Sequence, residues 1–306
     1  MGLRIRTNVS SLNAQRRLES STEALGQSAS KLASGERINR AADDAAGLAI
    51  SDNLRADVRS LAQARRNAND GISLVQTAEG GLMETTNMLA RLRELAIQSA
   101  SDTIGVTERG FLDREFRALK SEIDRIALST EFNGTRLLVG QNEVSDDLRG
   151  GNDFPLEIQV SKDFYPNADA SGESNPVNII RINLQNLNAT SYGEGGLGLG
   201  KDEDGTRINT KESAQTSISV LDSAITQVND YRSYLGAIQN RLTTTVSNLG
   251  TQVENLETAR SRIRDTDFAA ETANYTQNKI LQQAGTSVLS QANQQPAVAL
   301  GLIQNL

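Results

Sequence analysis

Of the side chains that do covalent chemistry, this chain has only carboxylates, amines, guanidines and hydroxyls, because it contains no His and no Cys. A Ser-His-Asp relay fails without the imidazole. Thiolate zinc sites and cysteine nucleophiles fail without a thiol, and an HExxH metalloprotease motif fails for want of His. Carboxylate or lysine mechanisms survive in principle, yet no paired arrangement of them stands out. The glycine cluster GEGGLGLG at 193 to 200 is the nearest approach to a phosphate loop. It does not present GxGxxG between a strand and a helix. These absences lower the prospect of an enzyme without closing it, and no catalytic residue, cofactor or metal is expected. Two triplets, Asn133-Gly134-Thr135 and Asn188-Ala189-Thr190, match a glycosylation acceptor pattern. They read more simply as turn polarity, and Asn-Gly is a strong turn signal.

With no chemistry to position, the elements must explain the chain by themselves. Aromatics make up 4% of the 306 residues and hydrophobics 37%, a poor stock for a globular core and an adequate one for the narrow seam of a helical bundle. Heptads supply that seam. Leu54, Leu61, Ala68, Val75, Leu82, Leu89 and Ala96 recur every seven residues. Their companion set, Val58, Arg65, Ile72, Glu79, Thr86 and Arg93, is mixed. From 218 to 263 the apolar positions include Ile218, Leu221, Ile225, Val228, Leu235, Leu242, Val246 and Leu249, interrupted by Arg232, Gln239 and Arg260. A heptad held this long predicts supercoiled helices, and at 1.5 Å per residue the second is about 70 Å long. A shorter segment, Leu112, Phe116, Leu119, Ile123 and Ile126, steps the same way and precedes Asn133-Gly134.

The middle reads differently. Pro155, Pro166, Pro176 and the glycine cluster fall in it, and LEIQV (156 to 160) and NIIRINL (178 to 184) read as two strands of a hairpin. The polar link between them, from about 161 to 177, suits a surface loop. At the two ends, Leu18, Leu25 and Leu32 form one stripe, and Ile280, Leu281, Ala284, Val288, Leu289 and Ala292 form another. Both stripes are narrow, and such helices are marginal alone. The predicted fold is mainly α: a long antiparallel helical bundle or coiled-coil rod with a small β-hairpin, plus paired terminal helices. The predicted domains are 1–44 with 266–306, and 45–265 with a hairpin and loop region at about 137–210.

Formal net charge is −7 with both signs interspersed, so no basic face invites nucleic acid. No apolar run approaches the roughly 20 residues of a membrane span. The N-terminus has basic residues but no apolar stretch of the kind a cleaved secretory signal requires.

Several long motifs resemble bacterial flagellin. They are NVSSLNAQRRL (8 to 18), KLASGERINRAADDAAGLAI (31 to 50), RNANDGISLVQTAEGGL (66 to 82), RLRELAIQSAS (91 to 101), TEFNGTRLL (130 to 138), SYLGAIQNRL (233 to 242) and SRIRDTDFAAETANYTQNKILQQAGTSVLSQANQQP (261 to 296). The C-terminal PAVALGLIQNL departs from the short leucine-rich tail of many relatives.

The resemblance implies a short flagellin with inner and outer core domains only: a secreted, self-assembling subunit of the extracellular filament that drives swimming. A hook–filament junction-type relative is the alternative. The resemblance further implies partners: other flagellin copies in a homopolymer, a flagellar export chaperone over the stripe from Ile280 to Leu302, and the filament cap and hook-associated proteins. Export would run through the flagellar type III apparatus. It also implies a possible patch for Toll-like receptor 5, in which Arg91 and Leu95 share a helix face and Glu115 supplies an acidic contact. The expected rod core is Leu54, Leu61, Val75, Leu82, Leu235, Leu242 and Leu249. The expected inner-domain stripe is Leu18, Leu25, Leu32, Leu281 and Val288.

Overall fold

The computed structural model describes residues 8–140, 155–163, 178–189, 196–200 and 205–304, with side chains as far as residue 294. It is mainly α. Among these residues five helices, α1 (Val9–Ser34), α2 (Ala45–Ala100), α3 (Val106–Ser129), α4 (Lys211–Arg264) and α5 (Phe268–Gln304), accompany four short strands. The strands are β1 (Glu131–Phe132), β2 (Thr135–Arg136), β3 (Leu156–Gln159) and β4 (Ile179–Ile182). They form two antiparallel hairpins, β1 with β2 and β3 with β4, the latter in the register Leu156↔Ile182 and Ile158↔Ile180. The link between β3 and β4 falls, from residue 164 to 177, outside the described residues. The chain divides into two compact units, one comprising Met1–Val58 with Glu254–Leu306 and the other Arg59–Val253.

In the second unit, buried positions on α2 run 61, 64, 68, 71, 75, 78, 82, 85, 89, 92, 96 and 99, alternating by three and four, with Leu95 buried beside them. One line of this heptad is the expected one: Leu61, Val75 and Leu82 are buried with Ala68, Leu89 and Ala96. The companion line is not the mixed set through Arg65 and Glu79. It is Ala64, Gly71, Ala78, Thr85, Leu92 and Ser99, mostly small residues that let a neighbouring backbone approach. The same displacement occurs on α4, where the second line is Ser217, Ala224, Tyr231 and Ile238 beside Leu221, Val228, Leu235 and Leu242. The interruptions at Arg232 and Gln239 vanish once the line moves by one residue. On α3 the buried line is Asp113, Phe116, Lys120, Ile123 and Ala127, two of them charged.

Those charges hold the chain's middle. The Asp113 carboxylate accepts the Ile208 N–H at 3.1 Å, and the Lys120 ammonium donates to the Leu199 carbonyl at 2.9 Å. Leu199 and Ile208 are thereby delivered, fully buried, into the same core as the three helices. Ile180, Ile182, Leu184, Leu187 and Leu197 join them. Glycine makes two docking places. A Cβ on Gly81 of α2 would sit 2.8 Å from the Leu138 side chain, and one on Gly140, where φ is 77°, would sit 2.8 Å from the Asn186 backbone nitrogen.

In unit one the described residues open on Asn8, whose side chain accepts the Ser11 N–H and caps α1; Gly35, at φ 72°, ends the helix in a left-handed turn. Asp44 accepts the Gly47 N–H at the start of α2, and Asp267 accepts the Ala269 N–H at the start of α5. Between these helix ends lies a charged knot. Arg264 reaches Glu36 at 2.9 Å and Asp52 at 3.4 Å, while Thr266 N–H donates to the Gly35 carbonyl.

Candidate functional site

Helices α1 and α5 pair antiparallel. The Asn8 amide donates to the Ala292 carbonyl at 2.7 Å, Ser11 Oγ donates to Asn293 at 2.7 Å, and Gln282 donates to Thr22 at 3.3 Å. On α1 the seam runs through Ser11, Ala14, Leu18, Ser21, Leu25, Ser28 and Leu32. Leu18, Leu25 and Leu32 are half-buried there. On α5 it runs through Tyr275, Asn278, Gln282, Gly285, Leu289 and Ala292. A Cβ on Gly285 would stand 3.3 Å from the Leu18 side chain, so a leucine of α1 packs over a glycine of α5 in a seam that mixes leucines with small and amide residues.

Leu281 and Val288, of the expected inner-domain stripe, stand apart from this pairing seam. Leu281 is 47% exposed, Val288 56% and Ile280 59%, and Val9, Leu12 and Phe268 are exposed as well. The physical reason is helical rotation: the seam follows Gln282, Gly285, Leu289 and Ala292, and the neighbouring positions 281, 284 and 288 are turned away from α1. The terminal pair therefore carries an apolar surface that the described residues leave uncovered, and large uncovered apolar surface marks an interaction site.

The expected core leucines sit as follows. Leu235, Leu242 and Leu249 are buried, as are Leu61, Val75 and Leu82. Leu54 is only half-buried; it lies in the first unit, away from the dense heptad that begins at Leu61.

The receptor patch does not form as expected. Arg91 is exposed and paired with Glu115 at 2.8 Å and Glu94 at 3.0 Å. Its hydrogen bond to Glu115, chiefly, holds the guanidinium above its ordinary value. Leu95, however, is 0% exposed. A step of four residues turns about 40° round a helix, enough to carry Leu95 into the seam beside Leu92 and Ala96 while Arg91 stays outside. Leu95 is a core residue.

Among the described residues, no group of carboxylates is placed to hold a metal ion, and no helix is long and apolar enough to cross a membrane. Of the buried charges on α3, Asp113 accepts the Ile208 N–H and pairs with Arg117 at 3.1 Å and Arg207 at 3.5 Å, and Lys120 donates to the Leu199 carbonyl. The sequence reading names the residues of the outward face of α5, Ile280, Leu281 and Val288, and misses that they are distinct from the seam at Leu289 and Ala292. The signal for it was the one-residue offset between Gly285 and Ala284, or Leu289 and Val288, which apolar counting merges into one stripe.

Comparison with known proteins agrees with these features. Residues 5–143 match the bacterial flagellin N-terminal helical region, and residues 218–303 match the bacterial flagellin C-terminal helical region. A flagellin of Bacillus subtilis is 40% identical over 317 residues, covering 99% of this chain and 100% of that one. Flagellin A of Vibrio anguillarum is 38% identical over 379 residues, covering 99% and 100%. A solved structure from Vibrio parahaemolyticus, described as a putative flagellar hook-associated protein, superposes with a TM-score of 0.55 at 13% identity. It covers 73% of this chain and 100% of that one, a likeness of fold. With both family regions matched across more than half its length and relatives aligned end to end, this chain belongs to the bacterial flagellin family.

Proposed function

We propose that the terminal helix pair is the polymerisation surface of this subunit, acting through the apolar face that α1 and α5 leave uncovered. As a bacterial flagellin the chain is a structural protein and not an enzyme: a subunit of the extracellular filament that serves motility. The observation that carries the assignment to this surface is the exposure of Ile280, Leu281 and Val288 on one helix. Burying such side chains between copies contributes about 1.5–3 kcal/mol each. That burial offsets the entropy of ordering two marginal helices. The segments 1–44 and 266–306 then constitute an inner, filament-building domain, and 45–265 an outer one.

The test is seeded growth from monomer carrying Ile280→Ser, Leu281→Ser and Val288→Ser together. The seam residues are untouched, so circular dichroism stays at the native helix content, while elongation seen by electron microscopy stops. Normal filaments from this variant would show that the surface lies elsewhere.

Three further partners fit the same reading. An export chaperone covers the stripe from Ile280 toward Leu302 before secretion through the flagellar type III apparatus. Cap and hook-associated proteins meet the terminal helices at the filament's ends. A receptor of the Toll-like receptor 5 kind engages the exposed Arg91–Glu115 pair on monomers, without Leu95. The junction-type alternative rests on fold likeness at 13% identity, whereas full-length identity near 40% lies with filament flagellins.

A further inference from the structure

Asn133 is the one asparagine in the sequence that is followed by glycine. It forms, with Gly134, the two-residue turn between β1 and β2, where Phe132 pairs with Thr135. Both residues have positive φ, 50° for Asn133 and 78° for Gly134, and Asn133 is the only non-glycine residue in that region among those described. This is the turn chemistry a two-residue hairpin demands.

The surroundings leave the pair reactive. Both residues are exposed. A Cβ on Gly134 would meet nothing within 4 Å beyond its chain neighbours, so the turn stands clear of the packed core. Neither the Gly134 N–H nor the Asn133 amide makes a hydrogen bond among the described residues. The two strands that close the turn are two residues each, so little ladder resists local opening.

From this geometry we infer that Asn133 is a site of spontaneous deamidation, a covalent modification encoded in the turn itself. The Gly134 backbone nitrogen attacks Cγ of Asn133. The N–Cγ bond forms, the Cγ–Nδ2 bond breaks, and the displaced amide leaves as ammonia carrying the proton from Gly134. Water then opens the five-membered imide. Cleavage at Cγ leaves an ordinary aspartyl residue at position 133. Cleavage at the main-chain carbonyl gives the isoaspartyl linkage, which routes the backbone through the side chain. No oxidant, enzyme or metal enters the balance.

The products act on the hairpin. The aspartyl product places a second carboxylate beside Glu131. The isoaspartyl form adds a carbon to a two-residue loop, and the pairing of Phe132 with Thr135 cannot keep its register. Thr135 is buried, and Leu137 and Leu138 just beyond it are fully buried against α2 and α3. Each conversion therefore loosens an anchor of the core.

The experiment ages the full-length monomer in warm neutral buffer and maps its peptides by mass spectrometry, with thermal unfolding followed in parallel. Asn133→Gly is the control, because it keeps the positive-φ turn and lacks the amide. The expected result is conversion at Asn133 ahead of every other asparagine, as a mixture of aspartyl and isoaspartyl products, with a falling unfolding midpoint. Both changes are lost in Asn133→Gly. An intact amide at Asn133 after other asparagines have converted overturns the inference, as does an equal fall in midpoint for native and control chains.

Discussion

Asp43 shows how much one exposed carboxylate does in the loop between α1 and α2. It accepts the backbone N–H of Arg40 at 3.0 Å and of Asn39 at 3.1 Å, and these two bonds, that to Arg40 foremost, hold its carboxyl below the usual aspartate range. A carboxyl lowered in the folded state stabilises the fold above its unfolded pKa, and that contribution disappears as pH falls through the folded value. An NMR titration of the Asp43 carboxyl carbon is therefore expected to turn at lower pH than a free aspartate. The Arg40 and Asn39 amide signals move with it on acidification and stay still on the alkaline side. Asp43→Asn removes that acid-side movement. A midpoint at or above the ordinary aspartate value contradicts the two bonds. Residue-scale detail of this sort was only partly legible beforehand. Arg91 and Leu95 look like neighbours at a spacing of four, but the small rotation between them decides which one meets solvent. Asp113 and Lys120 look like surface charges of an amphipathic helix. Their burial follows from the backbone groups of Leu199, Thr206 and Ile208, which no periodicity on α3 reveals.

At the scale of elements, heptads identified each long helix and one of its two lines of contact. The other line was hidden because it is built largely from Ala, Gly, Thr and Ser on α2 and from Ser, Ala, Tyr and Ile on α4. Apolar counting favours large side chains, so it selected the adjacent positions and met Arg65, Glu79, Arg232 and Gln239 there. Close helix packing favours small ones. The β3–β4 hairpin was legible from alternation; at Asn133-Gly134 the turn was legible and the two short strands beside it were not. The burial of the segments around Leu187, Leu197 and Ile208 was not, since they pack into a core without regular structure of their own. Two leucines separate these roles. Leu242 is fully buried among α2, α4 and the β3 hairpin residues, within 3.4 Å of where a Cβ on Gly71 would lie. Leu242→Ala is expected to cost about 2–5 kcal/mol of monomer stability, and Leu242→Asp more, because an unpaired charge enters the core. Leu281→Ala, on the exposed face of α5, is expected to change monomer stability by roughly 0.5 kcal/mol or less. Denaturant unfolding of the three variants measures the contrast, and equal losses at 242 and 281 would place both on the same kind of surface.

Across the whole molecule, burial is divided unequally between the two units. From Arg59 to Val253 the chain holds one continuous apolar core, fed by three helices, both hairpins and the irregular middle. In the other unit the α1–α5 seam fully buries only Ser11, Ala14, Ser28 and Ala292 among its described side chains. Side chains that small remove little apolar area from water. Burial of about 25 cal/mol per Å² must be set against roughly 1–2 kcal/mol of backbone entropy for each ordered residue. The terminal helices thus lack the means to be stable by themselves, while the segment between them does not need their help. This asymmetry makes a prediction about separability. A chain cut to residues 45–265 is expected to unfold cooperatively near the native midpoint, to remain monomeric in sedimentation, and to add to no filament seed. The reciprocal piece, a mixture of peptides 1–44 and 266–306, is expected to show little helix until native filament fragments are added. Hydrogen exchange on the intact monomer gives the same answer without cutting: slow amides along the buried lines of α2, α3 and α4, fast ones along α1 and α5. If the terminal amides exchanged as slowly as those beside Leu235 and Leu242, the terminal pair would be a finished domain. Its exposed apolar face would then be ordinary surface, and polymerisation would have to be sought on the other unit.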